Sequence, residues 1–150
     1  MKRLLLILFT AFSIIPVFSQ FGPGFVEQCA TNSGKDATYL KDFQVVLSAA
    51  QPEQLQPIAR YPLVLSKNNI YRFSVCTPED SPGKAILQLW DSNKLLFSSY
   101  NKDTGEEFNP INFLCQKTGV YHVFISFLDG KEGHAVGILS YVNKYNTAVI

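Results

Sequence analysis

Turn-forming residues recur at intervals of roughly ten positions along most of this chain, and that spacing most constrains its fold. The turn signals lie at 67–69, 78–83, 91–93, 101–105, 116–119 and 129–133. Apolar and polar residues alternate between them. In YHVFISF (121–127), four apolar residues share one face and a mixed set shares the other. A period of two, built from β-branched and aromatic residues, is typical of half-buried β-strands.

The alternation predicts eight strands, at 41–49, 61–66, 70–77, 84–91, 94–100, 110–115, 120–128 and 135–142. No segment carries a convincing helical stripe, and the two prolines within 51–61 limit that stretch to a loop or a single turn. Strands with such short connections must pair antiparallel, because parallel pairs need long crossovers. The sequence therefore predicts an all-β fold, a jelly-roll-like antiparallel β-sandwich of about eight strands.

Residues 1–19, MKRLLLILFTAFSIIPVFS, resemble a secretory signal peptide of bacterial style. The apolar run is too short to span a bilayer, which needs about 20 apolar residues, so an uncleaved anchor is the less favoured alternative. We expect an exported protein, periplasmic or extracellular, with an irregular segment at 20–38 and a single sandwich domain at 39–150. The end of the chain, 142–150, is either a final strand or a frayed tail.

Removal of the leader leaves 131 of the 150 residues and a nearly neutral chain. The 13 basic residues lose Lys2 and Arg3, which leaves 11 against 12 acidic residues. Such a balance gives no electrostatic basis for binding nucleic acid or an anionic membrane surface. A domain of this length can bury a sizeable core without covalent staples. We expect a protein that neither binds nucleic acid nor spans a membrane.

Three cysteines, Cys29, Cys76 and Cys115, permit at most one intramolecular disulfide in the oxidising setting that export implies. Cys76 and Cys115 each end an apolar, strand-like run, whereas Cys29 lies in a polar, loop-like stretch. The favoured pairing is therefore Cys76 with Cys115. The alternative is that these two are separate buried thiols, which pack as small apolar residues.

Three successive stretches, NNIYRFSV, ILQLWDSNKLL and INFLCQKTGVYHVFISF, follow an order seen in a known domain family. A turn leads into a tyrosine-containing strand, a later strand ends in the acidic turn 91–93, and a Thr-Gly-x-Tyr step follows at 118–121. Over residues 61–128 this resembles small bacterial β-sandwich domains of the pre-peptidase C-terminal type, and the eukaryotic GOLD domain has a comparable architecture. The resemblance implies an accessory or interaction module and carries over no calcium- or substrate-linked residue.

The sequence places neither histidine for catalysis. His122 alternates with Phe124 and Ser126 on a strand with no acidic residue nearby, which favours a solvent-facing or half-buried strand position. His134, in DGKEGHAVG, is predicted at a turn. A thiol hydrolase that pairs Cys115 with His122 is the least favoured function. Because the sequence contains no nucleophile elbow, phosphate loop or zinc-binding spacing, no catalytic or metal-binding residue is predicted.

Acidic residues cluster in two loops, one with Glu79 and Asp80 and one with Asp103, Glu106 and Glu107. Calcium binds six to eight oxygen ligands, and loops of this kind supply them in some proteins. Neither loop has the alternating Asp-x-Asn-x-Asp spacing of a dedicated site, which favours solvated turns. No cofactor is expected, and calcium is the alternative.

Trp90, the only tryptophan, alternates away from Leu87 and Leu89, and Tyr100 ends the next predicted strand. Aromatic side chains on a sandwich face bind sugars or proteins by stacking and apolar contact. The alternative is that Trp90 belongs to the core. The patterns favour an exported, non-catalytic module that binds a protein or cell-envelope partner. A carbohydrate-binding module that uses Trp90 and Tyr100 is the second candidate.

Overall fold

The computed structural model describes residues 21–144, so the predicted leader at 1–19 and the tail beyond residue 144 lie outside the described residues. Within this range the chain forms eight strands, one α-helix and a short 3-10 helix. In chain order they are α1 (Phe25–Asn32), β1 (Thr38–Leu47), β2 (Ala59–Leu65), β3 (Asn69–Cys76), β4 (Ala85–Asp91), β5 (Lys94–Ser98), β6 (Ile111–Leu114), β7 (Gly119–Phe127), the 3-10 helix (Leu128–Gly130) and β8 (Gly133–Lys144). No helix in this range is long and apolar enough to cross a membrane.

The strands form two four-stranded sheets in which every pair is antiparallel. The first sheet has the order β1-β8-β3-β6 and the second has the order β2-β7-β4-β5. Because successive strands mostly alternate between the sheets, the chain wraps around one core in the order of a jelly roll. The predicted antiparallel sandwich is confirmed. Each of the eight predicted strands is present, with bounds that differ by a few residues.

Side chains at alternate strand positions fill the space between the two sheets. On β7, the four apolar residues that share one face of 121–127 are all buried. They belong to one cluster with Leu89 of β4 and with Phe43 and Phe73 of the first sheet. Full burial of a large apolar side chain contributes about 1.5–3 kcal/mol, so this cluster holds the two sheets together.

The segment predicted to be irregular, 20–38, contains the helix α1, and the prediction is wrong at this point. Gly24, with a φ of 77°, precedes the helix, and Cys29 is its buried residue. The helix packs on the outer face of the first sheet against Val136 and Ile138 of β8. Eight residues form little more than two turns, too few for the apolar stripe by which periodicity identifies a helix.

A disulfide joins Cys29 of α1 to Cys76 at the end of β3, across a sequence separation of 47. Cys115 is a buried free thiol. The predicted pairing of Cys76 with Cys115 is therefore wrong, and the alternation along β3 gives the reason. Val75 lies in the same core cluster as Cys115, whereas Cys76 contacts the cluster beneath α1 on the opposite face of the sheet.

Arg72 of β3 holds the chain between α1 and β1 against the same sheet. Its Nη1 donates hydrogen bonds to the Ser33 carbonyl at 2.6 Å and to Asp36 Oδ1 at 2.7 Å. Its Nη2 donates to Asp36 Oδ2 at 3.0 Å, and its Nε donates to Asn112 Oδ1 at 2.7 Å. The helix and the turn that follows it therefore cover part of the outer face of the first sheet.

Candidate binding face

The outer faces of the two sheets are covered to different degrees. Beneath α1, Val136 and Ile138 of the first sheet are fully buried. Since α1 is the only α-helix among residues 21–144, no α-helix of this part of the chain covers the second sheet. On β7 of the second sheet, Val120 is 54% exposed. The outer face of the second sheet is therefore exposed toward β2, half-buried in its middle, and buried at Ile86 of β4.

We call this surface the open face; it comprises the outward-facing residues of β2, β7, β4 and β5, among them Arg60, Val64, His122, Phe124, Trp90 and Leu95. Strand register arranges these side chains in rows across the sheet. Arg60 lies opposite Phe124, and Phe124 lies opposite Gln88. The neighbouring row contains, from β2 to β5, Pro62, His122, Trp90 and Leu95.

Three side chains from different strands stack in the middle of the open face. The Arg60 guanidinium carbon lies 5.1 Å from the centroid of the Phe124 ring. The Phe124 and Trp90 rings stack with centroids 5.6 Å apart and planes inclined by 27°. Trp90 Nε1 donates a hydrogen bond to Gln88 Oε1 at 3.1 Å, which fixes the indole. Cation–π and aromatic pairs each contribute about 0.5–1.5 kcal/mol, so the stack is preformed.

Aliphatic side chains border the stack. Val64 of β2 is 70% exposed and lies opposite Val120 of β7, and Leu95 of β5 is 40% exposed. Scattered exposed aliphatic residues are ordinary on protein surfaces. Here they lie on the same sheet face as an aromatic pair, which makes this surface a candidate interaction site.

A groove of about 440 Å³ lies beside the stack on the same side of the second sheet. Ile58, Leu95 and Phe108 line it and are each between 37% and 42% exposed. Gln88, the hydrogen-bond partner of Trp90, also lines the groove and connects it to the stack. Sequence reasoning missed Phe108, because a lone aromatic residue in a polar loop gives no periodic signal.

The structure does not bring Trp90 and Tyr100 into one aromatic platform. Trp90 is half-buried on the outer side of β4, opposite in direction to the buried Leu87 and Leu89. Tyr100 lines the groove, and it pairs through its backbone with Glu107. The aromatic partner of Trp90 is Phe124, which is close only because β4 and β7 are neighbours.

Cys115 lies on the core side of β7, whereas His122 of β7 lies on the open face. Cys115 is fully buried in the core, where its Sγ donates to the Lys117 carbonyl at 3.2 Å. His122 is half-buried on the open face, opposite Trp90. Tyr121 contacts Cys115 and directly precedes His122 on β7. Because successive strand residues point to opposite faces, Tyr121 points to the core and His122 points to the open face. A thiol–imidazole pair is therefore not assembled by these two residues.

Tyr121 is the core group with a strongly altered proton affinity. Burial, together with the hydrogen bond from Cys115, raises the pKa of Tyr121 to about 12. Its protonated hydroxyl donates to the Lys117 carbonyl at 2.6 Å. This hydrogen bond gives Tyr121 a structural role in closing the turn that leads into β7.

His134 lies at the start of β8 and not at a turn, so that prediction is wrong. Its Nε2 is 3.0 Å from Asp80 Oδ1, and its ring meets Phe21 edge to face. Glu107 forms an ion pair with Lys84. Among residues 21–144, no group of three or more His, Cys, Asp or Glu side chains is arranged to hold a metal ion. One residue of each acidic loop thus has a side-chain partner in this structure, Asp80 with His134 and Glu107 with Lys84.

No protein-family model matches this chain, and no curated protein resembles it in sequence to a significant degree. The resemblance to pre-peptidase C-terminal domains therefore stays a prediction.

Proposed function

We propose that this protein is an exported, non-catalytic β-sandwich module that binds a protein partner through the open face. One observation carries the proposal: α1 and the turn after it cover part of the outer face of the first sheet, whereas no α-helix of residues 21–144 covers the Arg60–Phe124–Trp90 stack on the second. Arg60 is exposed, the two rings are half-buried, and the exposed Val64 and Val120 border them. Residues of these types, arginine and aromatic rings above all, dominate the binding energy of protein interfaces.

The surroundings of the stack favour a protein over a glycan. Sugar rings stack on a free aromatic surface, and Trp90 already packs against Phe124. The exposed side chains of Val64 and Val120 offer apolar contact but no hydrogen bonds to hydroxyl groups. Tyr100, the second residue of the proposed sugar platform, lies in the groove. Glycan binding is therefore the second candidate, and the groove is where it would be sought.

Export is supported by two observations. The predicted leader precedes the sandwich domain, and the described part of the chain contains the Cys29–Cys76 disulfide. Disulfides persist in oxidising compartments such as the periplasm and the extracellular space. The resemblance to accessory sandwich domains supports the same interpretation, because such modules act through their surfaces.

Site-specific photo-crosslinking in the native cells tests the proposal. A benzoylphenylalanine residue replaces Val64, which is 70% exposed on the open face, and in a matched control it replaces Val46, which is 54% exposed on β1 of the first sheet. We expect one discrete crosslinked protein from position 64 and none of the same mass from position 46. Adding Trp90→Ser to the position-64 variant should remove that product.

The proposal fails if positions 64 and 46 give the same products, or if Trp90→Ser leaves the product unchanged while circular dichroism shows an intact fold. A glycan array, screened with the wild type and with Trp90→Ser, covers the second candidate. Glycan binding that Trp90→Ser abolishes, with no protein crosslink from position 64, would replace the protein partner with a sugar.

A further inference from the structure

The open face carries positive charge and no carboxylate. Arg60 is its charged side chain, and His122 is its other titratable group. Across the four strands of the second sheet the single acidic residue is Asp91, at the end of β4. Asp91 lines a different cleft, together with Phe113 and Tyr121. A ligand on the open face would therefore contact the positive charge of Arg60, and the open face has no carboxylate that could pair with it.

Arg60 is held in position without an ion-pair partner in the described part of the chain. Within residues 21–144, the ion pairs join Asp36 with Arg72 and Glu107 with Lys84, and Asp80 is within hydrogen-bond distance of His134. The guanidinium of Arg60 instead lies over the Phe124 ring, which orients its plane. A guanidinium held in this way is suited to paired hydrogen bonds with a carboxylate.

The groove adds a second point of attachment, because it extends from Ile58, two residues before Arg60, to Leu95 on the far side of the sheet. Leu95 and Phe108 provide its exposed apolar walls, and Lys102 is its charged lining residue. β2, which carries Arg60, and β5, which carries Leu95, are the outer strands of the sheet. Strands lie about 4.8 Å apart, so about 14 Å separates the two, the length of roughly four residues of extended peptide.

We propose that the occupant is an extended segment of a partner protein that crosses the strands of the open face. It carries a carboxylate that pairs with Arg60 and, about four residues away, an aromatic or branched aliphatic side chain that enters the groove beside Leu95 and Phe108. This inference rests on the proposed function. A second copy of this chain fits less well, because its own open face brings no carboxylate to Arg60.

Trp90 reports directly on this binding, because it is the only tryptophan and lies in the stack. The full chain is expressed with its leader so that the host exports it, and its tryptophan emission is titrated with tryptophan-free peptides. The probe is acetyl-Glu-Gly-Ser-Gly-Phe-amide. One control replaces Glu by Gln, and another places Phe directly after Glu. We expect the Gln control to bind about two- to fivefold more weakly, the scale of one exposed charge pair. The control with displaced Phe should also bind more weakly, because its Phe no longer reaches the groove.

Charge reversal provides the decisive comparison. Arg60→Glu should weaken the Glu probe and strengthen a probe that carries Lys in its place. Arg72→Glu would disrupt the first sheet, so Lys35→Glu, an exposed change in the turn between α1 and β1, serves as the control and should leave both affinities unchanged. Leu95→Ser should weaken the probes whose Phe lies four residues after the first side chain, and it should leave the control with displaced Phe unchanged.

The inference is overturned if no probe changes the Trp90 emission, if Glu and Gln probes bind equally, or if Arg60→Glu does not reverse the charge preference. A dimer in ultracentrifugation that Trp90→Ser disperses would also overturn it in favour of a second copy. The proposed function is judged separately by crosslinking from position 64. If Arg60→Glu keeps the wild-type crosslink, a protein still binds the open face, and only its acidic character is wrong.

Discussion

Trp90 and Phe124 stack diagonally across neighbouring strands, with ring centroids 5.6 Å apart, although neither is the direct cross-strand partner of the other. Trp90 lies opposite His122, and Phe124 lies opposite Gln88. Diagonal neighbours on one sheet face are within reach of large aromatic side chains. The pair is therefore a product of the β4–β7 register, and it stiffens the open face.

Loss of the Phe124 ring should destabilise the fold and release the indole. We expect Phe124→Ala to lower the free energy of unfolding by about 1–2 kcal/mol, since an aromatic pair and a half-buried side chain are lost. Urea titration measures the change, and the emission of Trp90 should shift to the red in the folded state. Val120→Ala, on the same strand and face, should change stability by no more than about 0.5 kcal/mol.

The disulfide should be the main attachment of α1. We expect the double variant Cys29→Ser, Cys76→Ser to lose about 2–4 kcal/mol of unfolding free energy, because the crosslink restricts a long loop in the unfolded chain. Alkylation of the unfolded, unreduced wild type should label only Cys115, which mass spectrometry reads directly. Recovery of a peptide that joins Cys76 to Cys115 would contradict the structure.

The Arg72–Asp36 pair should make stability fall in acid. Hydrogen bonds from Arg72 lower the pKa of Asp36 below its usual value of 3.8. Because the pKa of Asp36 is lower in the folded than in the unfolded chain, the ionised carboxylate stabilises the fold at pH values above its usual pKa. This contribution is lost as the pH falls through the lowered pKa.

Urea midpoints from about pH 6 down to about pH 2 measure this dependence. Asp36→Asn should reduce stability at the upper end of the range and flatten the slope at the lower end. Asp103→Asn, in an exposed loop, is the control. If Asp36→Asn leaves the dependence of the urea midpoint on pH unchanged, the pair with Arg72 does not contribute to the loss of stability in acid.

Gly133 should tolerate no side chain. A Cβ there would lie 2.5 Å from Cδ1 and 2.6 Å from Cε1 of the buried Phe127 ring. We expect Gly133→Ala to cost about 1–3 kcal/mol through displacement of that ring. Gly119→Ala is the matched control, because a Cβ at Gly119 meets nothing within 4 Å, and it should be nearly neutral. Equal effects of the two changes, measured by thermal unfolding, would refute the steric explanation.

The sequence was sufficient to predict the sandwich because alternation is a local signal. Whether a residue such as Val123 points to the core or to solvent follows from its immediate neighbours, and burial enforces that pattern. The helix α1 was missed for the opposite reason. Its stability comes from docking on Val136 and from Cys76, which lie far away in the sequence.

The binding face was predictable only in part. Alternation predicted that Trp90 points away from Leu87 and Leu89. Its contact with Phe124 was not predictable, because it depends on β7 and β4 being neighbours in the sheet and on their register. Tyr100 was grouped with Trp90 because the two are close in sequence. The same alternation also placed Cys76 opposite to Val75, and applying it to the cysteines would have argued against a bridge to Cys115.

The position of β8 has a consequence for biosynthesis. β8 is the last strand of the described chain, yet it lies between β1 and β3 and provides the surface on which α1 docks. The first sheet therefore cannot close until nearly the whole polypeptide has been synthesised. Pairings over such long sequence distances form slowly. In an exported protein, as we propose, this delay would keep the nascent chain unfolded during its passage through a secretion channel, and α1 and the Cys29–Cys76 disulfide would form after that passage.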